Sequence, residues 1–187
     1  MSSDSPPQRK DAARNRERII EAARELFSRE GFDVSFDAIA QGAGVGRATL
    51  YRNFADKYAL GAAIFDDNIT ALEALARREP RPTFMALLEA VIEQQVQCHA
   101  LVPALLSARG ATDMDSLGQR MNALLEGPLE RARCAGEVRD DLQTMDVLGV
   151  LAMISAVMIP TATAQRRRAR AQRALELVFD GLRARPR

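Results

Sequence analysis

The chain of 187 residues is long enough to bury a sizeable core, and its 47% hydrophobic content is that of a folded protein. A formal charge of +1 excludes a uniformly basic nucleic-acid binder, but the charge is unevenly placed. Ten Lys and Arg stand against nine Asp and Glu in residues 1–58, eight against fourteen in 59–164, and eight against two in 165–187.

No run of alternating β-branched residues is long enough for a sheet, so the expected fold class is all-α. Residues 1–12, polar with two prolines, predict a flexible arm, and Met1–Pro7 lacks the apolar core of a secretory signal. A first helix is expected from about Asp11 to Glu30, with Ile19, Ile20, Ala23, Leu26 and Phe27 inward and Gly31 as its left-handed stop. Ser35 suits the N-cap of a short second helix, in which Phe36, Ile39, Ala40 and Ala43 fall at i, i+3, i+4, i+7. Asp37 in its first turn suits the positive end of the helix dipole. Gly42 and Gly44 flank Ala43 and permit a sharp reversal. Gly46 then caps a third helix, where Leu50 and Phe54 share one face while Arg47, Ala48, Thr49, Tyr51 and Arg52 lie mostly off it. Two helices joined by a glycine turn, the second carrying Arg and small polar groups outward, describe a helix-turn-helix DNA reader.

The run AGVGRATLYRNFADKYAL, residues 43–60, resembles the signature of the tetracycline-repressor (TetR) family, AGVSxxTLYxHF followed by a Lys and a Leu. Upstream, RIIEAARELFSREGF is similar to that family's first helix, which ends at a Gly-aromatic pair. The resemblance covers roughly Arg14 to Leu60, with Gly46 where Ser or Thr is common and Asn53 where His is common. It implies a dimeric transcriptional regulator, most simply a repressor, with a three-helix DNA-binding domain in 13–58 and a ligand-binding and dimerisation bundle in 59–187. Arg47 and Arg52 offer forked donors that suit guanine edges, and Ala48 is small enough to meet a thymine methyl. Ser35, Thr49, Tyr51, Asn53 and Lys57 resemble the family's phosphate and groove-edge contacts, which fix register without reading sequence. Lys57 is one of only two lysines in the chain. For Arg14 and Arg16 two readings stand side by side: reach to the backbone or minor groove, or a solvated arm.

Asp56 can cap a fourth helix, about Lys57 to Arg77, that connects the two domains, and Glu79-Pro80-Arg81-Pro82-Thr83 sets an elbow. A fifth helix from Thr83 to Ala100 would place Phe84, Leu88, Val91, Ile92, Gln95 and His99 in one arc. Pro103 would end it, before a short apolar helix at Ala104–Ala108 and a loop at Gly110. A seventh helix over Asp115–Ala135 turns Leu117, Met121, Leu124, Leu125 and Leu129 inward, and Pro128 predicts a kink eased by Gly127. An eighth, capped by Thr144, is apolar nearly all round (Val147, Leu148, Val150, Leu151, Ile154, Val157, Met158) and needs cover on two sides. Its apolar stretch is too short for a membrane span of about 20 residues. A ninth, Gln165–Arg183, carries Ala171, Ala174, Leu175, Val178 and Leu182 as a stripe. The resemblance implies that these last two helices form the homodimer interface; their apolar excess independently wants a partner. The run Arg166-Arg167-Arg168-Ala169-Arg170 is expected to be a solvated face or a partner for the acidic middle segment.

Gln95 and His99 in an apolar arc admit two readings, a satisfied core pair or polar groups lining a ligand cavity. In the second, Leu88, Ile92, Met121, Leu125 and Ile154 are the walls, and the ligand is mainly apolar. His99 is the only histidine, and Cys98 and Cys134 fit no metal spacing, so no metal or cofactor is expected. Unpaired cysteines agree with a reducing cytoplasm. Neither a Gly-rich phosphate loop nor a nucleophile elbow is present, so the chain is not expected to be an enzyme. The expected partners are a double-stranded DNA operator, a small-molecule effector and a second copy of the chain. The alternative is a DNA-bound protein-interaction module that senses no ligand.

Overall fold

The computed structural model describes residues 6–107, 114–158 and 163–182, all helix and short connections without a strand. The first three helices are α1 (Pro6–Glu30), α2 (Phe36–Gly42) and α3 (Arg47–Asn53). They are followed by α4 (Lys57–Ala76), α5 (Phe84–Gln97), α6 (Leu101–Ser107), α7 (Met114–Cys134), α8 (Thr144–Met158) and α9 (Ala164–Leu182). The caps follow from local chemistry. Ser35 Oγ accepts from the Ala38 amide at 3.1 Å, Asp56 Oδ1 from Ala59 at 2.8 Å, and Thr83 Oγ1 from Ala86 at 3.1 Å. Of the two glycines at the α2–α3 turn, Gly44 takes the left-handed conformation, at φ +60°. Gly42 remains inside α2.

Two apolar clusters form, and α4 runs through both. The first gathers α1, α2 and α3 around Phe27, Ile39, Leu50 and Phe54, adds Leu60 and Ile64 of α4, and is closed by Cys98, Leu101 and Leu105. The second joins Ile69 and Leu72 of α4 to α5, α7, α8 and α9. The division expected after residue 58 falls only two residues into α4, whereas the first core reaches Ile64 and borrows α6. Gly61 makes that borrowing possible, because a Cβ there would lie 2.8 Å from Leu101 Cδ1 and 3.2 Å from the Phe32 ring.

Several expectations need correction. Residues 6–12, expected as part of a flexible arm, belong to α1. Helix α5 stops at Gln97 rather than Ala100, with Cys98 at φ −124°, ψ 49° and its amide on Gln94 O. Pro103 does not end α5; it sits in the first turn of α6, where a missing N–H costs nothing. On α9, Ala171 and Leu175 are buried in this chain's own second core and Ala174 and Val178 are half-buried against it, so that part of the stripe expected to meet a second copy faces inward. The arm before residue 6, the Gly110 loop and Arg183 lie outside the described residues.

Candidate nucleic-acid interface and cavity

Ile39, Ala40, Ala43, Leu50 and Phe54 are buried against α1, which leaves the opposite side of α3 in solvent. Arg47, Ala48, Tyr51 and Arg52 are exposed there, beside half-buried Thr49 and Asn53. Internal contacts preset these groups. Arg47 pairs with Asp37 of α2 at 2.5 Å, and Arg52 donates to Thr49 Oγ1 at 3.1 Å. Asn53 Nδ2 donates to Thr49 O at 2.7 Å, and the Tyr51 ring meets Phe36 edge-on at 5.1 Å. Lys57 Nζ donates to Phe32 O at 2.9 Å and lies 5.1 Å from the Phe32 ring centre, so the start of α4 is tied to the α1–α2 connection. Ser35 is exposed while its hydroxyl caps α2. Arg16 lies over the Phe54 ring at 5.0 Å, at the end of α3, and Arg18 donates to Gly44 O at 3.2 Å, at the turn of the motif. Sequence reasoning missed Asp37 as the partner of Arg47; the signal was an acidic residue opening α2 ten positions before an exposed Arg.

A cavity of about 260 Å³ lies between α4, α5, α6, α7 and α8. Its walls are Phe65 and Asn68 from α4, and Val91, Gln94 and Gln95 from α5. Cys98, Leu101, Val102, Met121, Leu148, Leu151 and Ala152 complete it. Of the residues expected to line a pocket, Gln95 and Met121 do. Leu88, Ile92, Leu125 and Ile154 are packed into the second core instead and do not line the cavity. His99 is excluded for a geometric reason: α5 has ended, and the turn carries it toward α9. There burial, and then the Arg167 cation, push its pKa below the ordinary value. Its Nδ1 is buried without a hydrogen-bond partner. Burial pushes the Cys98 thiol up, so it stays protonated and neutral. Phe65, Asn68 and Leu148 escaped sequence reasoning, although Asn68 was a visible signal as a carboxamide within the apolar face of α4.

The basic run at the start of α9 divides. Arg168 pairs with Glu93 of α5. Arg167 is buried and donates to Ser28 O at 3.0 Å, joining α9 to the last turn of α1. Among the described residues no group of three or more metal-ligating side chains occurs, and none of their helices is long and apolar enough to cross a membrane.

Residues 79–184 match the family model described as the C-terminal domain of SbtR-like transcriptional regulators, and residues 19–64 match that of bacterial regulatory proteins of the tetR family. The chain belongs to the TetR family. A TetR transcriptional regulator of Streptomyces coelicolor is 30% identical, with 91% of this chain and 99% of that chain covered, at a TM-score of 0.59. A TetR transcription regulatory protein of Mycobacterium vanbaalenii is 29% identical over 94% of this chain and 98% of that one, at a TM-score of 0.63. Among curated proteins, an HTH-type transcriptional regulator of Staphylococcus aureus is 52% identical over 50 residues. That match spans only 26% of this chain and 27% of the relative. As a TetR-family regulator the chain is a DNA-binding transcriptional regulator with a helix-turn-helix domain and a C-terminal helical domain.

Proposed function

We propose that this regulator is a repressor that binds a palindromic operator as a homodimer and leaves it when a small molecule fills the cavity. The reading rests on one observation above all: three cavity walls, Phe65, Cys98 and Leu101, also pack against the DNA-binding core. Leu101 lines the cavity and is buried among the residues of α1–α3, and Phe65 lines it while touching both apolar clusters. A molecule that displaces either side chain acts on α4 and α6 together, and α4 begins at Lys57 beside α3. The ligand thus needs no long relay. This favours an effector-controlled regulator over a ligand-insensitive interaction module.

In this reading Arg47 and Arg52 read bases, Ala48 meets a thymine methyl, and Ser35, Thr49, Tyr51, Asn53 and Lys57 hold phosphates and the groove edge. The second copy docks on α8 and α9 in the cytoplasm, but not through Leu175. Met145, Met153 and Val157 of α8 and Leu177 of α9 are the large hydrophobic side chains left exposed there. A twofold pair presents α3 twice, to successive major grooves about 34–36 Å apart.

Filling the cavity from within tests the coupling. Val102→Trp should lower operator affinity roughly 5–150-fold while leaving the helical circular-dichroism spectrum unchanged. Unaltered operator affinity in a folded variant contradicts the reading.

A further inference from the structure

Arg167 bridges two helices that meet chiefly through a third. Helix α1 packs on α2, α3, α4 and α5, and α9 packs on α8 and α5. From the first turn of α9, Arg167 is only 4% exposed, and its Nη2 donates to Ser28 O of α1 at 3.0 Å, 139 positions away in the chain. A guanidinium keeps its charge on burial, and a buried charge is costly unless its donors are met. The bond to Ser28 O therefore resists displacement of either helix.

The acceptor is well placed for this. Ser28 lies in the last turn of α1, where carbonyls have no amide partner within the helix and the dipole favours a cation. The Gly31 amide closes on Phe27 O, which leaves Ser28 O to a side chain. Just beyond, Phe32 O accepts from Lys57, and the chain passes into α2 and α3. Arg167 thus fastens α9 at the point where α1 enters the DNA-reading motif. His99, at the α5–α6 turn, lies in the field of the same cation, and burial and then Arg167 lower its pKa. It adds no second charge to this joint at neutral pH.

We propose that Arg167 is a positioning residue for operator recognition: by fastening α9 to the end of α1 it fixes the separation of the two α3 helices, and so selects the spacing between half-sites. It reads no base itself. Its effect on spacing rests on the pairing through α8 and α9 proposed above, since any tilt of α1 against α9 is then doubled across the twofold axis. Without the bond, each α3 keeps its base contacts and the pair loses its set distance.

The test selects bound sites from a random duplex pool with two full-length chains, one unaltered and one carrying Arg167→Met, which keeps the hydrocarbon stem and removes the donor. Both should enrich the same half-site as an inverted repeat, the unaltered chain at one spacer length and the variant at several. In gel shifts, one base pair added between the half-sites moves them about 3.4 Å and turns them about 35° apart. That insertion should cost the unaltered chain about tenfold or more in affinity and Arg167→Met about threefold or less. Arg167→Lys, which keeps the charge and a donor, should regain most of the spacing preference. The same single spacer for Arg167→Met overturns the proposal. Loss of the half-site preference in a folded Arg167→Met also overturns it, because Arg167 would then shape the reader itself. Should circular dichroism show Arg167→Met unfolded, Arg167→Gln, too short to reach Ser28 O, carries the same expectations and the same refutations. Failure of the pairing itself looks different: the unaltered chain would sediment as a monomer or enrich no inverted repeat, and both proposals then fall.

Discussion

Arg120 of α7 clamps the helix that links the two cores. Its Nε donates to Glu73 at 3.1 Å, Nη2 donates to Thr70 Oγ1 at 3.1 Å, and Nη1 meets Asp66, all on α4. Its sequence neighbour Met121, and Phe65 beside Asp66, both line the cavity, so the clamp sits at the cavity's edge. The side chains of Arg120 and Glu73 are 33% and 26% exposed, and Asp66 is half in solvent. Partly exposed ion pairs contribute about 0.2–1 kcal/mol each, and a hydroxyl acceptor adds a similar amount. Arg120→Met keeps the hydrocarbon stem and should cost about 1–2 kcal/mol at pH 7 and low salt. With a urea slope of about 2 kcal/mol/M, the midpoint should fall by roughly 0.5–1 M at fixed protein concentration. The pH dependence follows from Glu73, whose carboxyl is held below its ordinary value of 4.5, first by the Arg120 hydrogen bond. A depressed folded pKa gives stability that is present above 4.5 and is lost as pH falls through the folded value. The gap between wild type and Arg120→Met should therefore narrow as pH is taken below 4.5. A gap that stays constant with both pH and salt would show that the stem's packing, and not the charge network, holds α7 to α4.

Leu175 and Leu177 should behave oppositely, since one is 3% and the other 56% exposed. Leu175→Glu should unfold the chain, because it places an unpaired charge in its own core, whereas Leu177→Glu or Met153→Glu should give folded monomers in sedimentation. In binding assays Arg47→Ala and Arg52→Ala should each cost about 1–3 kcal/mol on the cognate site and relax one base preference per half-site. Lys57→Ala should weaken all duplexes alike and lower the salt slope by roughly one per subunit. His99, held below 6.5 mainly by burial, favours the unfolded chain once protons are available. Stability should be full above that pH and decline as pH falls through it, and His99→Leu should flatten the decline in thermal melts.

The first four helices were legible because each signal there is local. Ser35 and Asp56 cap in place, Gly31 and Gly44 take left-handed conformations, and α2 and α3 bury the faces their spacing implies. The cavity was less legible. Periodicity along α5 carries Phe84 to Gln95 correctly, and extending it one turn to His99 assumes a helix that has already stopped. No glycine marks that stop. It comes instead from α6, which must start at Leu101 to place Leu101 and Leu105 in the first core. Spacing also cannot say which chain a stripe faces. Leu175 looks like an interface residue until α5 and α8 are seen to cover it. Cavity walls such as Phe65 and Leu148 come from helices far apart in sequence, and only the packing of α4 and α8 against α5 selects them.

The account turns on a twofold pair of α3 helices reading one duplex. Selection of bound sequences from a random duplex pool tests it most directly, run in parallel with the unaltered chain and with Arg47→Ala. The account predicts an inverted repeat whose half-sites are centred about one helical turn apart, with Arg47→Ala relaxing the same base symmetrically in both halves. A direct repeat, a lone half-site, or a pool in which no sequence is enriched would contradict it.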